Sequence, residues 1–305
     1  MIPRVRFGGT GLEVSRIGLG GFPLGAVNTA RGWNPFTLEG RAAAIAVIRA
    51  ALDAGINYID TAPGYGDGHS ESIIGEATKD RRDQFVLATK VGYRGMTDDD
   101  VAASVKASLH RLQTDFIDII QFHGGMYEAE DMDNILGGGL LDALLRLREE
   151  GVVRFVGFTV EEPWTARPLI ASGQFDVVQV RYNLIYQGAA LHVLDQARQA
   201  DMGVAVMRPM TSGILQRIAA YIAPRWQDAH DLYEAALKFV LSDSRVHVAI
   251  VGMRWPHEVA RNVSLTESFQ PPFDMASLPR LTAEIYRTED EMASNGETAA
   301  ERDIP

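Results

Sequence analysis

Ile56-Asn57-Tyr58-Ile59-Asp60-Thr61-Ala62-Pro63-Gly64-Tyr65-Gly66 reads as a short β-strand that ends in a carboxylate and opens into a loop carrying a phenol. A helix from about Glu71 to Thr78 is expected after it. The pattern returns at Phe85-Val86-Leu87-Ala88-Thr89-Lys90, before a helix over Asp98 to Leu112, and at Phe116 to Phe122, before His123. Successive strands therefore end at Asp60, Lys90 and His123, with Tyr65 just past the first. In a parallel barrel such ends gather at one mouth, where barrel enzymes keep their chemistry.

The rest of the chain extends the pattern. Arg4 to Phe7 and Leu12 to Ser15, joined by Gly8-Gly9-Thr10-Gly11, predict a β-hairpin. Arg16 to Gly20 is a strand, followed after a long loop by a helix near Arg41 to Ala54. A helix near Asn134 to Glu149 follows the Phe116 strand. In the second half, Val152 to Phe158 precedes Trp164 to Ser172, and Val177 to Val180 precedes Ala189 to Ala200. Gly203 to Met207 then precedes Ala229 to Leu241, and Val248 to Val251 precedes His257 to Leu265. These eight strand–helix pairs, without a linker-like break, predict an α/β fold: one (β/α)8 TIM barrel spanning residues 1–305. The hairpin precedes it, and a helical, acidic tail ends it, with 290–305 expected to be mobile.

Local chemistry supports the helices. Thr97 suits an N-cap, with Asp98, Asp99 and Asp100 meeting the positive helix end. Val101, Val105, Leu109 and Leu112 recur on one face.

The chain has 305 residues, 46% hydrophobic, with 29 Lys+Arg against 40 Asp+Glu and a net charge of -11. That charge disfavours nucleic acid and anionic membrane surfaces as partners. No apolar run is long enough to span a bilayer, and the start lacks the features of a secretory signal. There is no cysteine, which excludes disulfides and thiolate sites, fits a cytoplasmic setting, and with no His-Glu-x-x-His pair argues against a metal.

The four residues suggest a reaction. Reducing a carbonyl requires a proton for the oxyanion that develops, and a tyrosine carries one at neutral pH. A lysine ammonium beside it makes that proton easier to release. Asp60 is the natural carboxylate to keep Lys90 charged, and His123 can donate to the substrate oxygen alongside Tyr65.

Together these segments resemble the aldo-keto reductase superfamily over nearly the whole chain. The carriers are Asp60-Thr61-Ala62-Pro63-Gly64-Tyr65-Gly66 with Ser70-Glu71-Ser72-Ile73-Ile74-Gly75, Ala88-Thr89-Lys90, and Gln121-Phe122-His123. The resemblance implies a barrel binding NADP or NAD across its mouth, with Tyr65 as general acid/base, Lys90 and Asp60 as its tuners, and His123 orienting substrate. It also implies nucleotide contacts. Gly21 and Phe22 match the segment under the nicotinamide ribose, and Gln179 matches the carboxamide ligand. Thr159 stands for the usual serine, but Val160 replaces the usual asparagine. Met207, before Arg208, replaces the ring-stacking tyrosine. At the adenosine end the matching residues are Gly252, Arg254, Glu258, Arg261 and Asn262. Glu258 stands where many members carry an arginine for the 2′-phosphate, which favours NAD, whereas the family as a whole favours NADP.

Substrates are expected to be small carbonyls, alcohols or sugars. The segment Gly9 to Gly20 resembles branches that include sugar dehydrogenases. Assembly, as monomer or homo-oligomer, stays open. Two rival readings remain: a nucleotide-binding regulatory barrel with little turnover, and a lyase or aldolase in which Lys90 forms a Schiff base. Gly18-Leu19-Gly20-Gly21-Phe22-Pro23 begins like a dinucleotide fingerprint, but Pro23 takes the third glycine position. His69 reads as a solvated loop residue, and Trp33 and Phe36 either cover substrate or anchor their loop.

Overall fold

Ten strands organise the chain in a computed structural model that describes residues 2–222 and 231–269. Strands β1 (Arg4–Arg6) and β2 (Glu13–Ser15) pair antiparallel as the expected hairpin. The other eight are β3 (Ile17–Gly20), β4 (Tyr58–Asp60), β5 (Val86–Val91), β6 (Ile117–Phe122), β7 (Val153–Val160), β8 (Val177–Arg181), β9 (Gly203–Met207) and β10 (Val248–Gly252). They close into a barrel, each parallel to its neighbours, with β10 completing the ring against β3. The fold is the (β/α)8 barrel expected. The acidic tail at 290–305 lies outside the described residues.

Strand alternation builds two apolar layers. Residues such as Ile59, Leu87 and Ile120 point outward and join one large cluster with Ile48, Ile73 and Val105 of the surrounding helices. Inward-pointing Tyr58, Val86, Ile119, Val177 and Val248 form a second cluster with Phe7 and Val14 of the hairpin. Most of these inward residues begin their strands, so the hairpin seals the end of the barrel opposite the strand C-termini. Phe7 meets the Tyr58 ring edge-on, with centroids 5.6 Å apart.

The cap at Thr97 forms as expected. Its hydroxyl accepts the Asp100 N–H at 3.2 Å, while the Asp100 carboxylate accepts the Thr97 N–H at 2.9 Å. Some of the expected helices differ. The one placed over Asn134 to Glu149 is two, Ala129–Leu136 and Leu140–Glu149. Gly137-Gly138-Gly139 separates them, and Gly139 has a φ of 88°, a left-handed conformation open to glycine. The helix expected over Ala189 to Ala200 breaks at Val193 into Gly188–His192 and Leu194–Gln199. Leu232–Ser242 starts at an Asp231 cap, whose carboxylate accepts the Tyr233 and Glu234 N–H groups at 3.0 and 3.1 Å; the expected start at Ala229 lies outside the described residues.

Ser70 and Glu71 tie the Tyr65 loop to the barrel. Ser70 Oγ donates to the Gly21 carbonyl at 2.9 Å and lies 2.9 Å from Thr61 Oγ1. Glu71 is fully buried and accepts from Thr89 Oγ1 and Arg111 Nε, each at 2.6 Å. A carboxylate so buried stays only because both oxygens are hydrogen-bonded and one is ion-paired.

Candidate active site

The strand C-termini surround a cavity of about 700 Å³. Asp60, Tyr65, Lys90 and His123 all line it. Asp60 and Lys90 are almost wholly buried at its floor. Lys90 Nζ donates to Asp60 Oδ1 at 2.8 Å, Asp60 Oδ2 at 2.9 Å, the Thr61 carbonyl at 2.7 Å and Tyr65 Oη at 3.4 Å. One ammonium thus touches the carboxylate that balances it and the phenol it faces. The Tyr65 and His123 rings meet edge-on, with centroids 5.9 Å apart. The Phe22 ring meets the other side of Tyr65 at 5.4 Å.

Burial sets the first order of the electrostatics. It raises the Asp60 carboxyl, while Lys90, Gln179 and Gln121 pull it back. Burial alone would lower Lys90, but Asp60 and Tyr65 outweigh it and the ammonium is held above its usual range. The Tyr65 phenol sits above its ordinary value because burial is the larger effect, with Lys90 pulling against it. Lys90 acts to lower the phenol, but desolvation exceeds its effect. His123 is pushed down to about 4, by burial first and Lys90 second. One face of its imidazole opens to the cavity, and the ring is neutral at pH 7.

Of the nucleotide residues expected from sequence, Phe22, Thr159, Gln179, Met207, Arg208, Gly252, Arg254, Glu258, Arg261 and Asn262 line the cavity. Gly21 lies behind them, its N–H donating to the Asp60 carbonyl at 2.6 Å. A Cβ there would come within 2.7 Å of Ser70 Oγ, so glycine is needed for close packing of this wall. Gln179 is buried, and its Oε1 has no hydrogen-bond partner among the described residues. An orphaned amide oxygen facing the cavity fits a carboxamide N–H. Thr159 Oγ1 is already committed to Gly124, donating to its carbonyl at 2.8 Å and accepting its N–H at 3.0 Å. Val160 is fully buried in the outer apolar layer and turns away from the site.

At the far end, Glu258 folds back over the start of helix Pro256–Ser264. Its Oε2 accepts the Arg254 N–H at 2.6 Å and the Trp255 N–H at 3.3 Å. These are the donors a helix terminus would offer an anion. Arg31 reaches to 3.7 Å from Glu258 Oε1, and Arg261 is ion-paired with Asp231. The Arg254 guanidinium is partly buried, and its Nε has no hydrogen-bond partner among the described residues.

Sequence reasoning missed Asn28, Arg31, Glu161 and Tyr233, all of which line the cavity. Glu161 was legible in principle. It directly follows β7, which runs to Val160 rather than Phe158. Glu161 accepts from Arg208 at 2.8 Å and Arg181 at 3.3 Å. Trp33 and Phe36 anchor the loop from Phe22 to Glu39, whereas Phe22 itself lines the cavity. Trp33 is buried, donates to the Pro23 carbonyl at 2.7 Å and packs edge-on to Trp255 at 5.1 Å. Phe36 stacks on His69 at 4.3 Å, and His69 Nε2 lies 2.9 Å from the Pro35 carbonyl. None of these three lines the cavity, and His69 is a packed loop anchor rather than a solvated residue.

Residues 17–281 match the profile of the Aldo/keto reductase family. An L-galactose dehydrogenase of Arabidopsis thaliana is 28% identical over 308 residues, covering 90% of this chain and 92% of that one. The uncharacterized oxidoreductase YqkF of Bacillus subtilis (strain 168) is 29% identical over 220 residues, and the match spans 65% of its length. Among solved structures, an aldo-keto reductase from Klebsiella pneumoniae in complex with NADPH superposes with a TM-score of 0.74 at 25% identity, covering 92% of this chain and 95% of that one.

Proposed function

Because the chain belongs to the aldo/keto reductase family and is an NAD(P)-dependent oxidoreductase, we propose that Tyr65 is its general acid/base, tuned by Lys90 and Asp60, with His123 orienting the substrate oxygen. The observation that carries this reading is the Lys90 Nζ, which reaches the Asp60 carboxylate and the Tyr65 hydroxyl at the cavity floor.

The residues present fit a nicotinamide nucleotide. Gln179 Oε1 supplies an acceptor for the carboxamide, Met207 a polarisable surface for a ring, and Gly252 to Asn262 a helix start for the adenosine end. When bound, the nicotinamide supplies or accepts the hydride. The protein's own part is proton management. In reduction Tyr65 Oη gives its proton to the substrate oxygen as charge develops there, and neutral His123 donates a second hydrogen bond. Lys90 stabilises the phenolate left behind, and Asp60 stabilises Lys90. In oxidation Tyr65 runs as the base.

NAD is favoured over NADP in this reading. The Glu258 carboxylate occupies the donors at the helix start and would repel a 2′-phosphate, while suiting a free ribose hydroxyl. Sugars, taken as aldoses or lactols, are the substrate class it favours. Glu161 and Arg208 provide polar partners for hydroxyl groups at the mouth, and the relationship to an L-galactose dehydrogenase extends over 90% of the chain.

A Schiff-base role for Lys90 fits poorly. Its nitrogen is ion-paired and donates to Asp60, Thr61 and Tyr65, whereas such a nucleophile must be neutral and free. Turnover read at the nicotinamide absorbance, with a panel of aldoses and aldehydes in both directions and both nucleotides, tests the proposal. Binding without turnover across the panel would instead favour the regulatory barrel.

A further inference from the structure

The structure assigns to Gln121 a positioning role: its side-chain amide serves the outer face of the Asp60 carboxylate and so holds Lys90 in place beneath Tyr65. This inference rests on the acid/base reading above and extends it to a residue with no part in that reading.

Gln121 lies on β6, directly across from Lys90 on β5 and Gly157 on β7. It points into the barrel one inward position below His123. Gly157 leaves room beside it, and a Cβ there would come within 2.6 Å of the Val177 carbonyl. Gln121 is completely buried, and neither Oε1 nor Nε2 has a hydrogen-bond partner among the described residues. A buried amide with both ends unmet is costly and needs a reason. The reason lies at its neighbours.

Lys90 Nζ has no donor left for the Gln121 oxygen, since Asp60, Thr61 and Tyr65 take them. Each Asp60 oxygen, by contrast, receives only one bond from that nitrogen and keeps acceptor capacity. Gln121 is already near enough to help pull the Asp60 carboxyl down against the effect of burial. Nε2 is the donor the amide can offer to that spare acceptor capacity. The ionisable groups around this carboxylate are Lys90, Tyr65 and Tyr58, with His123 above Lys90.

Two variants test the role. Gln121→Leu keeps the volume and removes the donor. Its kcat should fall on the order of tenfold, and the acid limb of its pH profile should move up by about one unit, because Asp60 then protonates more readily. Nucleotide affinity, read by fluorescence quenching, should change little. Gln121→Glu places a carboxylic acid against Asp60; it donates when protonated, so activity should recover towards acid pH and fall away towards alkaline pH. A residue that merely fills space predicts no such pH-dependent rescue. An unchanged kcat and profile in Gln121→Leu would overturn the role, as would equal losses of nucleotide affinity and melting temperature in both variants. If Tyr65→Phe abolishes turnover in the same assay, that failure belongs to Gln121 alone. If the unmodified enzyme turns over no nicotinamide, both readings fall.

Discussion

Glu258 accepts the backbone N–H of Arg254 at 2.6 Å, so a side chain fills the anion seat at the start of helix Pro256–Ser264. The arginine side chain beside it is partly buried with its Nε unmet among the described residues. A carboxylate there competes with a phosphate for the same donors. Glu258→Arg should therefore raise the kcat/KM for NADPH relative to NADH. A gained charge-assisted hydrogen bond is worth about 1.5–3 kcal/mol, or roughly ten- to a hundredfold. Glu258→Gln, which keeps an acceptor for the helix N–H groups, should give a smaller shift in the same direction. A parent enzyme already selective for NADPH would remove the argument.

Tyr65→Phe should lower kcat by roughly a hundredfold to ten-thousandfold, the usual range for a lost general acid. Among the described residues the phenol makes one hydrogen bond, the 3.4 Å contact with Lys90, so the ring should keep its packing against Phe22 and His123. Nucleotide affinity, measured by fluorescence quenching, should be nearly unchanged. Comparable turnover in the variant would take the phenol out of the chemistry.

Asp60→Asn separates tuning from folding. The amide can accept one bond from Lys90 but leaves an ammonium at the floor of the barrel without its counter-charge. Breaking a buried ion pair from one side typically costs about 3–5 kcal/mol. Urea unfolding should register a loss of that order, and kcat should fall further than stability alone explains. Removing both partners in Asp60→Asn/Lys90→Met should recover part of the stability and none of the turnover.

How much of this could be read in the sequence follows from what fixes each part. The barrel was legible because apolar runs such as Phe85 to Ala88 and Phe116 to Phe122 admit few other structures when helical segments separate them. Asp60, Lys90 and His123 were legible because each ends, or directly follows, such a run, and Tyr65 because it stands in the loop after the first. The second row was legible only in part. Glu161 directly follows a strand, but Arg31 reaches the cavity through a loop whose course depends on Trp33 and Glu258, contacts spread across distant parts of the chain. The Gly137-Gly138-Gly139 break was visible as composition, but only its left-handed backbone reveals that it separates two helices.

His123 is pushed down to about 4, chiefly by burial, and His247 is also lowered, by burial first and then by Arg16. His247 Nδ1 accepts the Val204 N–H at 3.0 Å, a bond that requires the unprotonated nitrogen. Both folded values lie below the ordinary value of 6.5, so the unfolded chain binds more protons as the pH falls. Stability from these neutral imidazoles is therefore complete above about 6.5 and is lost as pH drops from there towards 4. Urea midpoints measured from pH 7 to 4 should decline across that window. His247→Asn should lower stability at pH 7, because it disturbs the Val204 bond and the edge-on contact with Phe7, and should flatten the decline. His123→Asn should flatten it with a smaller loss at pH 7, since the described structure gives that ring no hydrogen bond to a protein side chain. A midpoint independent of pH over this range would mean that neither imidazole is held neutral by the fold.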